Sequence, residues 1–192
     1  MKMPCETPST GPAAAIAAGL AARIPELHTP RLRLRAPRIA DFDSYAGIVT
    51  GPRGAHFALT GRDEAWLDFN QMVAGWVLRG HGLWTVEDRQ GGLLGFVLLG
   101  FDPEDPEPEL GYIFSEAAEG QGYATEAATA VRDFAFGRLG WPTLVSFISP
   151  GNTRSIALAE RLEAYPDGQI DDPAGGRTLI YRHPAPGGHQ NA

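Results

Sequence analysis

Apolar residues recur at two spacings along this chain, and each change of spacing marks a new element. From Thr29 to Arg35 cationic and apolar side chains alternate, the period of a half-buried strand with Leu32 and Leu34 turned inward. Asp41 to Val49 predicts a short helix, broken by Gly51-Pro-Arg-Gly54. Thr60 is expected to cap a second helix, with Asp63 and Glu64 in its first turn and Trp66, Phe69, Val73, Trp76 and Val77 on one apolar stripe. Gly82–Glu87 and Leu93–Leu99 are strand runs, and the turn-rich link Asp88–Gly92 between them favours a hairpin. An acidic, proline-rich loop, Phe101–Pro108, leads into a further strand, Glu109–Phe114.

Helical spacing returns with Ala124, Ala127, Ala128, Val131, Ala135 and Leu139, and this helix is expected to end near Gly140. Leu144–Ile148 reads as a strand, and Asn152 as the cap of a helix carrying Ile156, Leu158, Ala159 and Leu162. Thr178–Arg182 is expected to close the sheet. Strands and helices thus interleave along one α/β chain with no internal repeat and no domain boundary. The folded domain is expected over 28–183, after a flexible or partly helical leader, 1–27, and before a disordered tail, 184–192.

Composition narrows the function classes. A chain of 192 residues with net charge -7 has no basic footprint for nucleic acid, although an anionic cofactor can still bind through local backbone dipoles. A single cysteine, Cys5, excludes an internal disulfide and suits a reducing cytoplasm. The alanine-rich run 13–22 is too short and too weakly apolar to span a bilayer, and the prolines before it argue against an export signal. No membrane partner is expected. His28, His56, His81, His183 and His189 show no paired metal spacing, so no metal is implied, and surface or loop positions are expected for them. His56 and His81 stand as alternative bases.

The chemistry concentrates in Glu119-Gly-Gln-Gly-Tyr-Ala-Thr-Glu126, between a strand and a helix. Gly120 and Gly122 can adopt backbone angles closed to other residues, so several N–H groups can converge at the positive end of the helix, where phosphate binds. This turn, the carboxylate Glu109 at the start of the preceding strand, and the later Asn152-x-x-Ser155 together resemble the GCN5-related N-acetyltransferase (GNAT) superfamily, particularly its ribosomal-protein-alanine acetyltransferase branch. The resemblance runs from about Thr29 to Arg182.

That resemblance implies the acyl-CoA N-acyltransferase fold, a mixed and mostly antiparallel sheet with helices on both faces. It implies acetyl-CoA as co-substrate, with its pyrophosphate on the backbone of Gly120, Gln121, Gly122, Tyr123 and Ala124. Amides near Phe114 would polarise the thioester or hold the pantetheine arm. Asn152 would approach that arm, Glu109 would be the general base, and Ser155 the proton donor to the thiolate, with Tyr112 and Tyr123 in reserve. Arg53, His56 and Phe57, between the two early helices, would lie near the acceptor. The acceptor would be a primary amine, on a protein N-terminus or a small molecule, and the enzyme a monomer or homodimer. Glu109→Gln is expected to slow turnover most at low pH. Three positions depart from the family pattern: Glu119 replaces Gln or Arg, Ala159 a tyrosine, and Glu163-Ala164 a Gly-Phe pair. These departures keep a non-catalytic acyl-CoA-binding protein as the alternative. A dinucleotide-dependent oxidoreductase is the more distant rival, since Thr125 stands where a Rossmann turn has its third glycine.

Overall fold

The structure is a computed structural model that describes residues 2–57, 59–102, 105–171 and 176–185. Five helices, α1 (Gly11–Ala21), α2 (Phe42–Val49), α3 (Arg62–Leu78), α4 (Tyr123–Gly137) and α5 (Thr153–Arg161), alternate with strands β1 (Leu27–His28), β2 (Leu32–Arg35), β3 (Leu83–Asp88), β4 (Leu93–Gly100), β5 (Glu109–Phe114), β6 (Val145–Ile148), β7 (Tyr165–Asp171) and β8 (Arg177–Arg182). The strands form one sheet in the order β1-β2-β3-β4-β5-β6-β8-β7. Every neighbouring pair is antiparallel except β5 and β6.

Alternation along the central strands sends side chains to two cores. Leu32, Leu34, Trp84, Val86, Val97, Leu99 and Leu110 pack against Ala127, Ala128, Val131 and Ala135 of α4. Leu83, Phe96 and Leu98 pack on the other face against Phe42, Tyr45 and Val49 of α2 and Phe69 of α3. Burial on both faces of the middle of the sheet holds β4 and β5 in place, and these strands carry the site.

Four expectations need correction. The strand at 177–182 does not close the sheet, because it lies between β6 and the edge strand β7. β7 carries Pro166 and Gly168, is mostly exposed and shifts register between Pro166 and Gln169, so it has no apolar period to detect. Gly61, not Thr60, stands at the N-cap of α3, while the Thr60 N–H and hydroxyl both donate to Glu64 Oε2, at 2.6 and 2.9 Å. Val77 leaves the α3 stripe and is 74% exposed. Arg35, whose alternation places it among solvent-facing cations, is only 4% exposed. Its guanidinium reaches Asp41 Oδ2 at 2.7 Å and Glu87 Oε1 at 2.6 Å, so two carboxylates compensate its desolvation.

Within the leader, α1 is exposed along its length, but two contacts tie the flanking segments to the domain. Glu6 is buried against Arg62 at 2.7 Å, and the Pro25 carbonyl accepts from Trp84 Nε1 at 2.8 Å. His189 and the tail from residue 186 onward lie outside the described residues. No helix among the described residues is long and apolar enough to cross a membrane.

Candidate active site

The site begins where the sheet opens. β5 and β6 pair at one register only, Glu109 with Val145. Backbone direction alternates along a strand. Ser115 N–H donates to Leu94 on β4, so the groups of Pro108, Leu110, Tyr112 and Phe114 face β6. Pro108 C=O accepts from Val145 N–H at 3.0 Å, and Leu110 C=O from the Ser146 hydroxyl at 2.7 Å. Further along the strands have parted. Past that register β5 and β6 form no further ladder pair among the described residues, and the amides of Tyr112 and Phe114 face the split.

At the open end of β5 the chain makes the glycine turn. Gly120 and Gly122 take φ of 72° and 75°, and Gly122 is the N-cap of α4, as their left-handed tolerance predicts. From Gly120 to Thr125 no amide donates to a backbone carbonyl among the described residues. These N–H groups therefore remain for an anion at the start of a 15-residue helix. The turn is braced from behind. Arg31 Nη1 donates to the Gln121 carbonyl at 2.8 Å and its Nε to Glu126 Oε2 at 2.6 Å, while its guanidinium lies 4.7 Å from the centre of the Tyr123 ring. The Thr29 hydroxyl also donates to Glu126, at 2.5 Å. Glu126 is thus an anchor for α4, not a ligand group.

Two cavities share the split. One, of about 600 Å³, includes Phe114, Glu119, Gly120, Gly122, Ala124 and Asn152 in its wall. Arg53, Arg154 and Arg161 line it too, and only Arg53 among them stood out in the sequence. The second, of about 360 Å³, is lined by Asp68, Asp102, Asp105 and Glu109 and by no Lys or Arg among the described residues. Phe57, Tyr112, Ile113, Asn152 and Ser155 border both. A turn able to seat a diphosphate, cationic walls and open amides leading to the second cavity fit a CoA thioester. Gln121 and Tyr123 do not line either cavity. The Gln121 side chain turns back to the Ala117 carbonyl at 2.9 Å, and the Tyr123 ring stacks under Arg31.

The candidate base and acid both flank the split. Glu109, half-buried in the second cavity, has its pKa pushed up to about 8 by loss of solvent, then by the charges of Asp105 and Asp102, against the opposing Phe147 N–H. Burial also raises Asp68 and Asp105 above the usual carboxylate range, with Asp102 adding to both. Asn152 caps α5, its Oδ1 accepting from Ser155 N–H at 3.2 Å, and this sets the Ser155 hydroxyl at the junction of the cavities. The Tyr112 hydroxyl donates to the Ser155 carbonyl at 3.1 Å, and burial raises its pKa. As a reserve acid Tyr112 is therefore poor, its proton committed and held tightly. Tyr123 lies outside both cavities.

Glu119 pairs with Arg53 Nη1 at 2.8 Å, which holds its carboxyl below the usual range. A carboxylate at this turn would repel a pyrophosphate, and a guanidinium from another loop offsets its charge. His56 lines the acidic cavity. His81 is a strut, its Nδ1 on the Leu99 carbonyl at 2.8 Å and its ring edge-on to Trp141. His183 corrects the surface reading, being 3% exposed with Nε2 against the Ser146 hydroxyl at 2.9 Å. Ser146 spends its proton on Leu110, so Nε2 must donate. Nδ1 then carries only a lone pair, which accounts for its having no partner. Burial, then Arg132, lowers the His183 pKa to about 4, and the neutral ring braces the closed end of the split.

Comparison with known proteins identifies the family and the fold. Residues 31–164 match the acetyltransferase (GNAT) domain family. The protein YkkB of Bacillus subtilis is 32% identical over 149 residues, covering 71% of this chain and 83% of its own. A crystal structure of an acetyltransferase from Agrobacterium tumefaciens superposes with a TM-score of 0.77 at 38% identity, over 83% of this chain and 94% of that one. The fold is shared more distantly with RimL, a ribosomal L7/L12 alpha-N-protein acetyltransferase solved with coenzyme A, at a TM-score of 0.64 and 17% identity over 83% and 96% of the chains. An acyl-CoA N-acyltransferase sheet split beside its glycine turn, matched along most of its length, makes this chain a member of the GNAT family of acetyltransferases.

Proposed function

We propose that this enzyme moves the acetyl group of acetyl-CoA to a primary amine, on a protein N-terminus or a small molecule, by direct transfer in a ternary complex in the cytoplasm. One observation carries the reading: amides freed by the parting of β5 and β6 lie between a cavity walled by arginines and one walled by carboxylates. The first suits the phosphates of CoA and the second a cationic amine.

The amine must lose a proton before it attacks. An alkylammonium near pKa ~10.4 gives its proton poorly to an ordinary glutamate near ~4.3. Glu109, at about 8, is much better matched. The neutral amine then attacks the thioester carbon, and the carbonyl oxygen gathers negative charge that the Tyr112 and Phe114 amides are placed to receive. As the C–S bond breaks, the sulfur takes a proton from Ser155 or from water relayed by it, and the second proton shed by the newly bonded nitrogen returns to that donor, leaving the neutral amide, CoA thiol and a protonated Glu109 that gives its proton to solvent.

Calorimetric titration with acetyl-CoA beside NADH tests the first half of this reading, and acceptor-dependent release of CoA thiol the second. Micromolar acetyl-CoA binding without an NADH signal is expected. Binding without thiol release across peptide and small-amine acceptors would convert the chain to a non-catalytic acyl-CoA binder.

A further inference from the structure

Arg53 stands in the short turn Pro52–Gly54 between α2 and α3, far in sequence from the glycine turn, yet its side chain crosses to it. Nη1 donates to Glu119 Oε2 at 2.8 Å and Nε to the Phe114 carbonyl at 3.2 Å. Phe114 C=O faces the split, where β6 no longer pairs, so one guanidinium satisfies a carbonyl that the opened sheet has orphaned and neutralises a carboxylate at the anion-binding turn. The Arg53 side chain is 23% exposed against 47% for Glu119, and it lines the larger cavity. A guanidinium has five N–H groups. With two engaged, three have no acceptor among the described residues.

The turn that carries Arg53 is itself fixed. A side chain at Gly54 would meet the Val49 carbonyl oxygen at 2.0 Å, so the backbone lies directly on the end of α2. From there the chain runs on to His56 and Phe57. Phe57 borders both cavities and His56 the acidic one. The Arg53–Glu119 contact therefore joins the wall of the acidic cavity to the turn that would seat the diphosphate.

We propose that Arg53 is a diphosphate-binding residue, held in position by Glu119, and that the pair ties the acceptor wall to the cofactor turn. This deepens the acetyl-CoA reading and rests on it. Without Arg53, Glu119 faces the diphosphate uncompensated. Without Glu119, Arg53 keeps its charge but loses one of its two holds. The two side chains must therefore act non-additively.

Calorimetry with CoA, dephospho-CoA and pantetheine on the wild type, Arg53→Ala, Glu119→Gln and the double variant tests this, with the thermal midpoint of each as a fold control. Arg53→Ala is expected to weaken CoA and dephospho-CoA equally, by about tenfold, and to leave pantetheine unchanged. The double variant is expected to bind CoA more tightly than Arg53→Ala alone. In steady state, Arg53→Ala should also raise the acceptor KM, since the wall is released. Unchanged CoA affinity in Arg53→Ala, an equal loss for pantetheine, or losses that simply multiply in the double variant would overturn the proposal. If Arg53→Ala does not fold, Arg53→Lys, which keeps the charge and loses the fork, should show a smaller loss confined to the two diphosphate ligands; wild-type affinity there would also overturn it. A wild type that binds no CoA would instead remove the acetyl-CoA reading itself.

Discussion

The two cavities that meet at Tyr112, Asn152 and Ser155 carry opposite charge in a chain whose net charge is -7. The proposed cofactor side collects Arg53, Arg154 and Arg161 around backbone donors, and the proposed acceptor side collects Asp68, Asp102, Asp105 and Glu109. Bulk charge predicted neither. Local fields come from which side chains the fold gathers, and here a net anionic chain carries a pocket lined by arginines. The two sides also differ in what they are made of. Backbone N–H groups dominate the first, and side-chain carboxyls dominate the second.

The most damaging way to break this contrast is to place a carboxylate on the cationic side. Gly122→Asp strains a residue at φ 75°, crowds Arg31, whose guanidinium lies 3.4 Å from the added Cβ, and sets a charge beside the diphosphate. Acetyl-CoA affinity by calorimetry should fall by about 100-fold or more, the sum of roughly 1–2 kcal/mol of strain and a comparable repulsion. On the acidic side, Glu109→Gln should lower turnover by about 100-fold while acetyl-CoA affinity is kept. Because Glu109 titrates near 8, wild-type activity should climb with pH through that value, and the variant should lack the rise. The loss is then greatest above pH 8, where the wild-type base is free of its proton. This reverses the sequence-based expectation of a low-pH effect, and desolvation of the carboxyl is the reason.

The same burial bears on stability. A carboxyl whose folded pKa lies above its unfolded value holds its proton more tightly when folded, so stability falls as pH rises from about 4.5 towards 8. The thermal midpoint of Glu109→Gln should therefore gain on the wild type across that window. A constant difference would mean that the carboxyl is solvated. The smallest effect belongs to Asp105→Asn, which removes a like charge beside Glu109. The midpoint of the pH–rate profile should move down, by about a pH unit or less.

The periodic parts of the molecule could be read directly. β5 and the register of the glycine turn follow from alternation and from two residues that only φ above zero explains. β7 could not be read, since an exposed edge strand with Pro166 and Gly168 buries too little to require a pattern. Asn152 was legible as a cap because capping is local. Arg154 and Arg161 were missed because a charged residue on a helix looks the same whether it meets water or a cavity. The splay of β5 from β6 is a property of two strands and has no signal in either.

Arg31 and Thr29, at the start of the domain, hold Glu126 and Gln121, some 90 to 97 residues further along the chain. The glycine turn therefore cannot be held in shape by its neighbours in sequence alone. It waits on a contact of very long loop closure, among the slower steps available to a chain of this size. In a refolding experiment, acetyl-CoA binding should appear only with the last structural phase, as a clock for completed folding and not for collapse.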